Sequence, residues 1–325
     1  MTDVFYQDDQ LTLLHGDARD ILASMPDRSV DCIVTSPPYY GLRDYEGGSR
    51  EIGHETTPSE YVSRLAGVFH EARRILKDDG TLWVNIGDSY AGKIHPAHGG
   101  TSALGGRAVQ HRQGCADDGR TFDRPRKNLL GIPWRLAFAM QDDGWTLRSD
   151  IAWCKPNAMP ESVSDRPTKS WEHVFLFAKS ERYWYDASAV RQPQSEATIQ
   201  DLKHRRTFDN KGTNGGTRTD LARDRRDYIP ADGMRNLRDV WTIPTRPYPG
   251  AHFATYPVDL PLRCIQAGCR PGGVVLDPFS GSGTTGLAAA QLGHPYVGID
   301  LNEEYLKLSL RTRLAQACLI TPEEQ

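Results

Sequence analysis

The sequence has no CxxC pair. Cys32, Cys115, Cys154, Cys264, Cys269 and Cys318 form no dense framework, which indicates neither a zinc ribbon nor a disulfide scaffold and fits a reducing compartment. It also has no apolar run near the roughly 20 residues that a bilayer-crossing helix needs. Its start, Met1 to Gln10, lacks the basic flank and apolar stretch of a leader, so a soluble, unexported, cytoplasmic protein is expected. Net charge is small, −3, and says nothing by itself about a polyanionic partner. What is there, in 325 residues, is 38% hydrophobic types against 25% charged, enough for a sizeable core, which excludes global disorder. The length is about twice that of a common domain, so one large α/β domain with an appended module is expected.

Charge is distributed unevenly. From Ala91 to Arg135 there are eight Lys/Arg against three Asp, and from Ala187 to Arg246 twelve Lys/Arg against eight Asp/Glu, leaving the remainder acidic. Both stretches are polar and loop-like. An acidic scaffold with basic inserts is compatible with nucleic-acid binding, because clustered cations attract phosphates, and equally with solvated surface loops. The rest alternates strand and helix. Apolar runs at Asp31 to Ser36, Thr81 to Ile86, Leu147 to Trp153, His173 to Ala178, Gly273 to Asp277 and Tyr296 to Asp300 read as strands. Helical spacing marks Pro58 to Lys77, Leu129 to Asp142, Val258 to Gly268 and the segments beginning at Thr284 and Glu303. A Rossmann-like, doubly wound, mostly parallel sheet covered on both faces is the expected fold.

Two motifs carry chemistry. Asp277-Pro278-Phe279-Ser280-Gly281-Ser282-Gly283-Thr284-Thr285-Gly286 falls where a strand gives way to a helix, its glycines match G-x-G-x-x-G, and Asp300 ends the next strand. Glycines let backbone approach a ligand closely, and an acid at the neighbouring strand end accepts from ribose hydroxyls, so an adenosine-containing cofactor is expected. Asp277 would set a carboxylate where a dinucleotide pyrophosphate belongs, which favours a cationic ligand such as S-adenosylmethionine. The second motif, Thr35-Ser36-Pro37-Pro38-Tyr39-Tyr40, also follows a strand. Its prolines fix a turn and bare carbonyl oxygens, Ser36 adds an acceptor and Tyr39 a face for stacking, a set suited to a planar ring bearing an amine. Ligands in open α/β sheets bind beyond the carboxyl ends of strands, so the two motifs should share a cleft.

At these residues the sequence resembles the exocyclic-amino DNA methyltransferases of the permuted β group, in which a Ser/Asp-Pro-Pro-Tyr motif precedes a Phe-x-Gly-x-Gly motif. Gly16-Asp17, Ser29-Val30-Asp31, Trp153 to Asn157, Asp165-Arg166, Glu172 to Phe175, His252 to Pro257 and Gly298 to Asn302 extend the likeness over much of the chain. The resemblance implies a permuted class I methyltransferase fold with S-adenosylmethionine as cofactor. Ser36, Pro37, Pro38 and Tyr39 would be the catalytic turn. The cofactor would be held by Asp17, His252, Phe253, Ala254, Thr255, Asp277, Pro278, Phe279, Ser280, Gly281, Ser282, Gly283, Thr284, Thr285, Asp300, Leu301 and Asn302. Within that set, Asp277 would face the methionine end, Asp300 the ribose and Asp17 the adenine amine. The target base would be flipped out of double-stranded DNA, with no covalent enzyme intermediate. Ser36 points to cytosine N4, with adenine N6 as the alternative.

The expected division is a catalytic half at 1–186 with a basic insert at 91–128, a target-recognition region at 187–246 and a cofactor half at 247–325. Arg205, Arg206, Arg223, Arg225, Arg226, Arg235 and Arg238 are candidate DNA contacts. A cognate restriction endonuclease is a candidate partner, and monomer and homodimer are both compatible. A nicotinamide-dependent dehydrogenase would leave Ser36 to Tyr39 unexplained, and a non-catalytic DNA-binding module would leave the glycine turn unexplained. A serine hydrolase fails because Ser280 stands where the G-x-S-x-G elbow needs its first glycine. RNA or protein methylation is the nearer chemical rival. His95 and His98 lack carboxylate or cysteine neighbours at ligand spacing, so no metal is expected.

Overall fold

A computed structural model describes residues 3–42, 50–92, 120–197, 199–200, 233–246 and 256–317. The chain divides into two compact units, Tyr185–Arg238 and the remainder. In the larger unit lies a nine-stranded sheet of order β1-β2-β11-β10-β3-β4-β6-β5-β9. Its strands are β1 (Asp3–Gln7), β2 (Leu11–His15), β3 (Val30–Thr35), β4 (Leu76–Ile86), β5 (Thr146–Cys154), β6 (Trp171–Ala178), β9 (Val240–Thr242), β10 (Val275–Asp277) and β11 (Tyr296–Asp300). The central strands β2, β11, β10, β3 and β4 run parallel, while β6 is antiparallel to both β4 and β5. The smaller unit carries a two-stranded ribbon of β7 (Gln192–Pro193) and β8 (Met234–Arg235).

The helices are α1 (Ala18–Ser24), α2 (Pro58–Ile75), α3 (Ile132–Asp142), α4 (Asp259–Gly268), α5 (Thr284–Gln291), α6 (Glu303–Arg311) and α7 (Arg313–Ala317). The local sequence explains α2. Thr57 and Glu60 form a reciprocal capping box, Pro58 opens the first turn, and Tyr61, Leu65, Val68, Phe69, Ala72 and Ile75 make a buried stripe. In β4, Leu82, Val84 and Ile86 join the core shared with α2 and α3. Trp83 points the other way, against Trp241 of β9 and Gly268 of α4, where a Cβ would sit 2.4 Å from the indole nitrogen. Both sheet faces are thus covered, as a parallel sheet requires.

This topology places the two motifs. β3 and β10 are neighbours in register, Val275 beside Cys32 and Leu276 beside Ile33. From that pair β3 continues to β4 on one side and β10 to β11 on the other, so the strand order reverses there. Such a reversal leaves a crevice beyond the carboxyl ends of the strands. Part of the segment read as a recognition region belongs with this sheet: β9 pairs in parallel with β5, and Trp241 is buried.

Candidate active site

Thr35, Asp277 and Asp300 end three adjacent parallel strands, and the turns that follow line a single cleft with about 1000 Å³ of empty space including its open mouth. Ser36 and Pro38 stand in the same wall system as Asp277, Pro278, Phe279, Ser280, Gly281, Ser282, Thr284, Asp300, Leu301 and Asn302. Asp17 lines it as well, while its Oδ1 caps α1 by accepting from the Arg19 N–H at 2.9 Å. Turns more than 240 residues apart in sequence therefore meet.

The glycine turn is built by backbone that only glycine adopts readily. Gly281 has φ +51° and Gly283, the N-cap of α5, has φ +75°. The Gly281 N–H donates to Asp300 Oδ2 at 2.7 Å and the Asn302 N–H to Oδ1 at 2.8 Å. Burial pushes the Asp300 carboxyl up to about 6, against the pull of those two bonds.

Asp277 behaves differently from the expectation that its carboxylate serves the methionine end of a cofactor. It lines the cleft, but its oxygens turn into the protein. Oδ1 accepts from the Thr35 hydroxyl at 2.6 Å and the Phe279 N–H at 3.0 Å. Oδ2 lies 2.8 Å from the Thr285 hydroxyl and 3.3 Å from that of Tyr256. Burial raises its carboxyl, opposed by these donors. Asp277 is thus the buried tie between the two turns. Thr285, expected at the cofactor, is fully buried and reaches the Val34 carbonyl and Asp277 instead, and Gly283 packs against Ser309 and Leu314 rather than lining the cleft. Ser280 lines the cleft with its hydroxyl turned away, 2.9 Å from that of Tyr296.

The Pro-Pro turn presents Ser36, half buried, and Tyr39, whose ring lies against Gly87 so closely that a Cβ there would come within 2.6 Å. The Tyr39 hydroxyl donates to Glu172 Oε2 at 2.9 Å and is 3.2 Å from Asn85 Oδ1. Burial, then the Glu172 charge, hold its phenol well above the ordinary range, so it stays protonated. Pro38's carbonyl accepts from the Tyr61 hydroxyl at 2.7 Å, whereas no described residue donates to that of the buried Pro37. Lys155 Nζ meets Glu172 Oε1 at 2.5 Å.

Sequence reasoning missed Asn85 at the end of β4, and Arg50, Glu51, Ile52 and Tyr305 around the cleft. Asn85 carried a signal, as a polar residue in the apolar run TLWVNI. The candidates His252, Phe253, Ala254 and Thr255, and Arg205, Arg206, Arg223, Arg225 and Arg226, lie outside the described residues. Arg235 is half buried in β8 and Arg238 is exposed. Among the described residues no cluster fit to hold a metal occurs and no helix is long and apolar enough to cross a membrane.

Two solved structures share this fold. One is described as PvuII DNA methyltransferase (cytosine-N4-specific), with a TM-score of 0.62, 19% identity and coverage of 100% of this chain and 91% of that one. The other is a putative DNA modification methylase from Thermus thermophilus complexed with S-adenosyl-L-methionine, with a TM-score of 0.55, 24% identity and coverage of 95% and 93%. The class is therefore the Rossmann-like, class I S-adenosylmethionine-dependent methyltransferase fold. Residues 30–311 match the DNA methylase family of N6/N4 methyltransferases. Type II methyltransferase M.Cfr9I of Citrobacter freundii is 45% identical over 303 residues, covering 92% of this chain and 86% of the relative. M.SmaI of Serratia marcescens is 43% identical over 297 residues, covering 91% and 88%. The chain belongs to this DNA methylase family and is a DNA methyltransferase of the N4/N6 group.

Proposed function

We propose that the protein is a site-specific methyltransferase that transfers a methyl group from S-adenosylmethionine to the exocyclic N4 amine of cytosine in DNA. The observation that carries the reading is the meeting of Ser36 and the glycine turn in one cleft, at adjoining strand ends. The cleft suits the cofactor. Phe279, Leu301 and Tyr305 offer apolar walls, Asp300 an acceptor for ribose hydroxyls and Asp17 an acceptor for the adenine amine. Bound there, S-adenosylmethionine supplies a methyl group already joined to a sulfonium leaving group.

The chain's own residues then have to present the amine. The acceptor atom is hidden in the Watson–Crick edge of a duplex, so the base must leave the stack, at a cost of a few kcal/mol. Stacking on Tyr39 returns about 1–3 kcal/mol if it behaves as other base–aromatic contacts do. Ser36 Oγ and the Pro37 carbonyl accept the two amine hydrogens, which favours a pyramidal nitrogen with its lone pair directed at the methyl group. Catalysis is then positioning plus stabilisation of the developing positive charge, and the methylated nitrogen releases one proton to solvent to give the neutral product. Cys32 is fully buried in β3 and plays no part as a nucleophile.

Ser36 rather than Asp at the head of the Pro-Pro-Tyr turn favours cytosine N4 over adenine N6. Mass spectrometry of nucleosides from DNA treated with the protein and S-adenosylmethionine should yield N4-methylcytosine. N6-methyladenine as the sole product would overturn the choice of base while leaving the amine chemistry in place.

A further inference from the structure

Resting on the reading that Ser36 and Tyr39 receive the target base, we infer that Glu172 is a positioning residue: it sets the direction of the hydrogen bonds behind the Pro-Pro turn and thereby makes Ser36 an acceptor toward the amine. The argument starts at Asn85, which is 3% exposed. Its amide nitrogen lies 3.1 Å from the His173 carbonyl and 3.3 Å from Glu172 Oε2. Both partners only accept, so both amide hydrogens point at them and Oδ1 must face Ser36 and Tyr39. Tyr39 has one hydroxyl hydrogen, and the shorter of its two contacts is to Glu172 Oε2, 2.9 Å against 3.2 Å to Asn85. Glu172 thus takes hydrogens from both neighbours and offers none back. What remains facing Ser36 is Asn85 Oδ1, 3.4 Å from its Oγ, together with the Tyr39 oxygen. The Ser36 hydrogen is drawn inward to these acceptors, and its lone pairs are left toward the cleft, the orientation an incoming N–H requires. Lys155 Nζ, 2.5 Å from Glu172 Oε1 and just past the end of the neighbouring strand β5, adds a third donor to the same carboxyl.

A merely structural role would not depend on the direction of these bonds, and Glu172→Gln tests that difference. Glutamine keeps the size but brings two donors, so the chain of bonds can run either way. Single-turnover methylation of cognate DNA should slow by about tenfold or more, while the DNA KM and the Kd for S-adenosylhomocysteine change by less than about threefold. In a double-mutant cycle with Ser36→Ala, Glu172→Gln should add little further loss, because both remove the same oriented acceptor. If Glu172→Gln does not fold, Lys155→Gln, at a partly exposed site, reads the same point through the loss of the counter-ion. It should slow the step less than Ser36→Ala and combine with it non-additively. Unchanged rates, fully additive losses, or a rate loss that tracks weakened S-adenosylhomocysteine binding would each overturn the inference. A parent protein that binds S-adenosylhomocysteine yet methylates no DNA would instead overturn the reading of the site, and this inference with it.

Discussion

Asp300 is a cleft carboxyl poised between burial and its hydrogen bonds. Its oxygens already accept from two backbone N–H groups, but burial outweighs them and lifts the group to about 6. On the proposed reading Asp300 accepts from ribose hydroxyls, which the ionised form does better, so below pH 6 cofactor binding would be coupled to release of a proton. Affinity for S-adenosylhomocysteine should therefore be flat above about pH 7 and fall toward tenfold per pH unit well below 6, measured by calorimetry. Unfolding does not produce this loss. A carboxyl raised on folding binds more protons folded than unfolded between about pH 4 and 6, so its contribution makes the unliganded fold relatively more stable as pH falls through that window. Asp300→Asn should weaken binding at pH 8 and remove most of the slope; a slope that survives in this variant would assign it elsewhere, Asp277 first. Sequence alone placed Asp300 at a strand end, because an acid closing a short apolar run is visible. It could not show that Asp277 is tied inward, since both acids end strands beside the cleft and only the packed structure shows Asp277 bonded to Thr35, Thr285, Tyr256 and Phe279.

At the scale of elements, the parts that were legible are those whose signals lie within one segment. The buried stripe of α2 is an example, as are the apolar runs that became β3, β4, β10 and β11. β1 and β2 were not read: β1 is mostly exposed and has little apolar pattern, and the apolar signal of β2 is confined to Leu11, Leu13 and Leu14. β9 is three residues long and only its pairing with β5 marks it as a strand. The start of α3 depends on a partner distant in sequence. Its N-cap is Gly131, with φ +70° and no side chain to accept, so the free N–H groups of Gly131 and Ile132 donate to Asp88 at 3.0 and 2.9 Å. Asp88 follows Gly87, the residue on which Tyr39 rests, so the cap also holds the wall behind the Pro-Pro turn. Replacing Asp88 with Ala should cost about 1 kcal/mol in chemical denaturation, the usual worth of an N-cap. It should slow methylation more than it weakens S-adenosylhomocysteine binding. Equal losses in both would mean that α3 supports the cleft as a whole and not the Tyr39 side of it.

For the molecule as a whole, the sheet explains the chemistry but leaves sequence choice unassigned. Everything that lines the cleft comes from the larger unit, from strand ends and the turns after them. On the proposed reading those side chains hold the cofactor and receive an amine that every copy of the target base carries. A site-specific enzyme must therefore read neighbouring base pairs with residues from elsewhere, through groove edges or the deformability of the duplex. Tyr185–Arg238 is a separate compact unit and holds most of the Arg-rich stretch, including Arg191, Arg235 and Arg238 among its described residues. We assign recognition to this unit on that ground. Exchanging it for the corresponding segment of a family member with a different target should move the methylated site, read by single-molecule sequencing of DNA from expressing cells. The modified amine should stay the same, because Ser36, Asn85 and Glu172 remain in place, and so should the affinity for S-adenosylhomocysteine. An exchanged protein that still methylates the original site would transfer recognition to the larger unit, where the basic residues between Ala91 and Arg135 are the next to be exchanged.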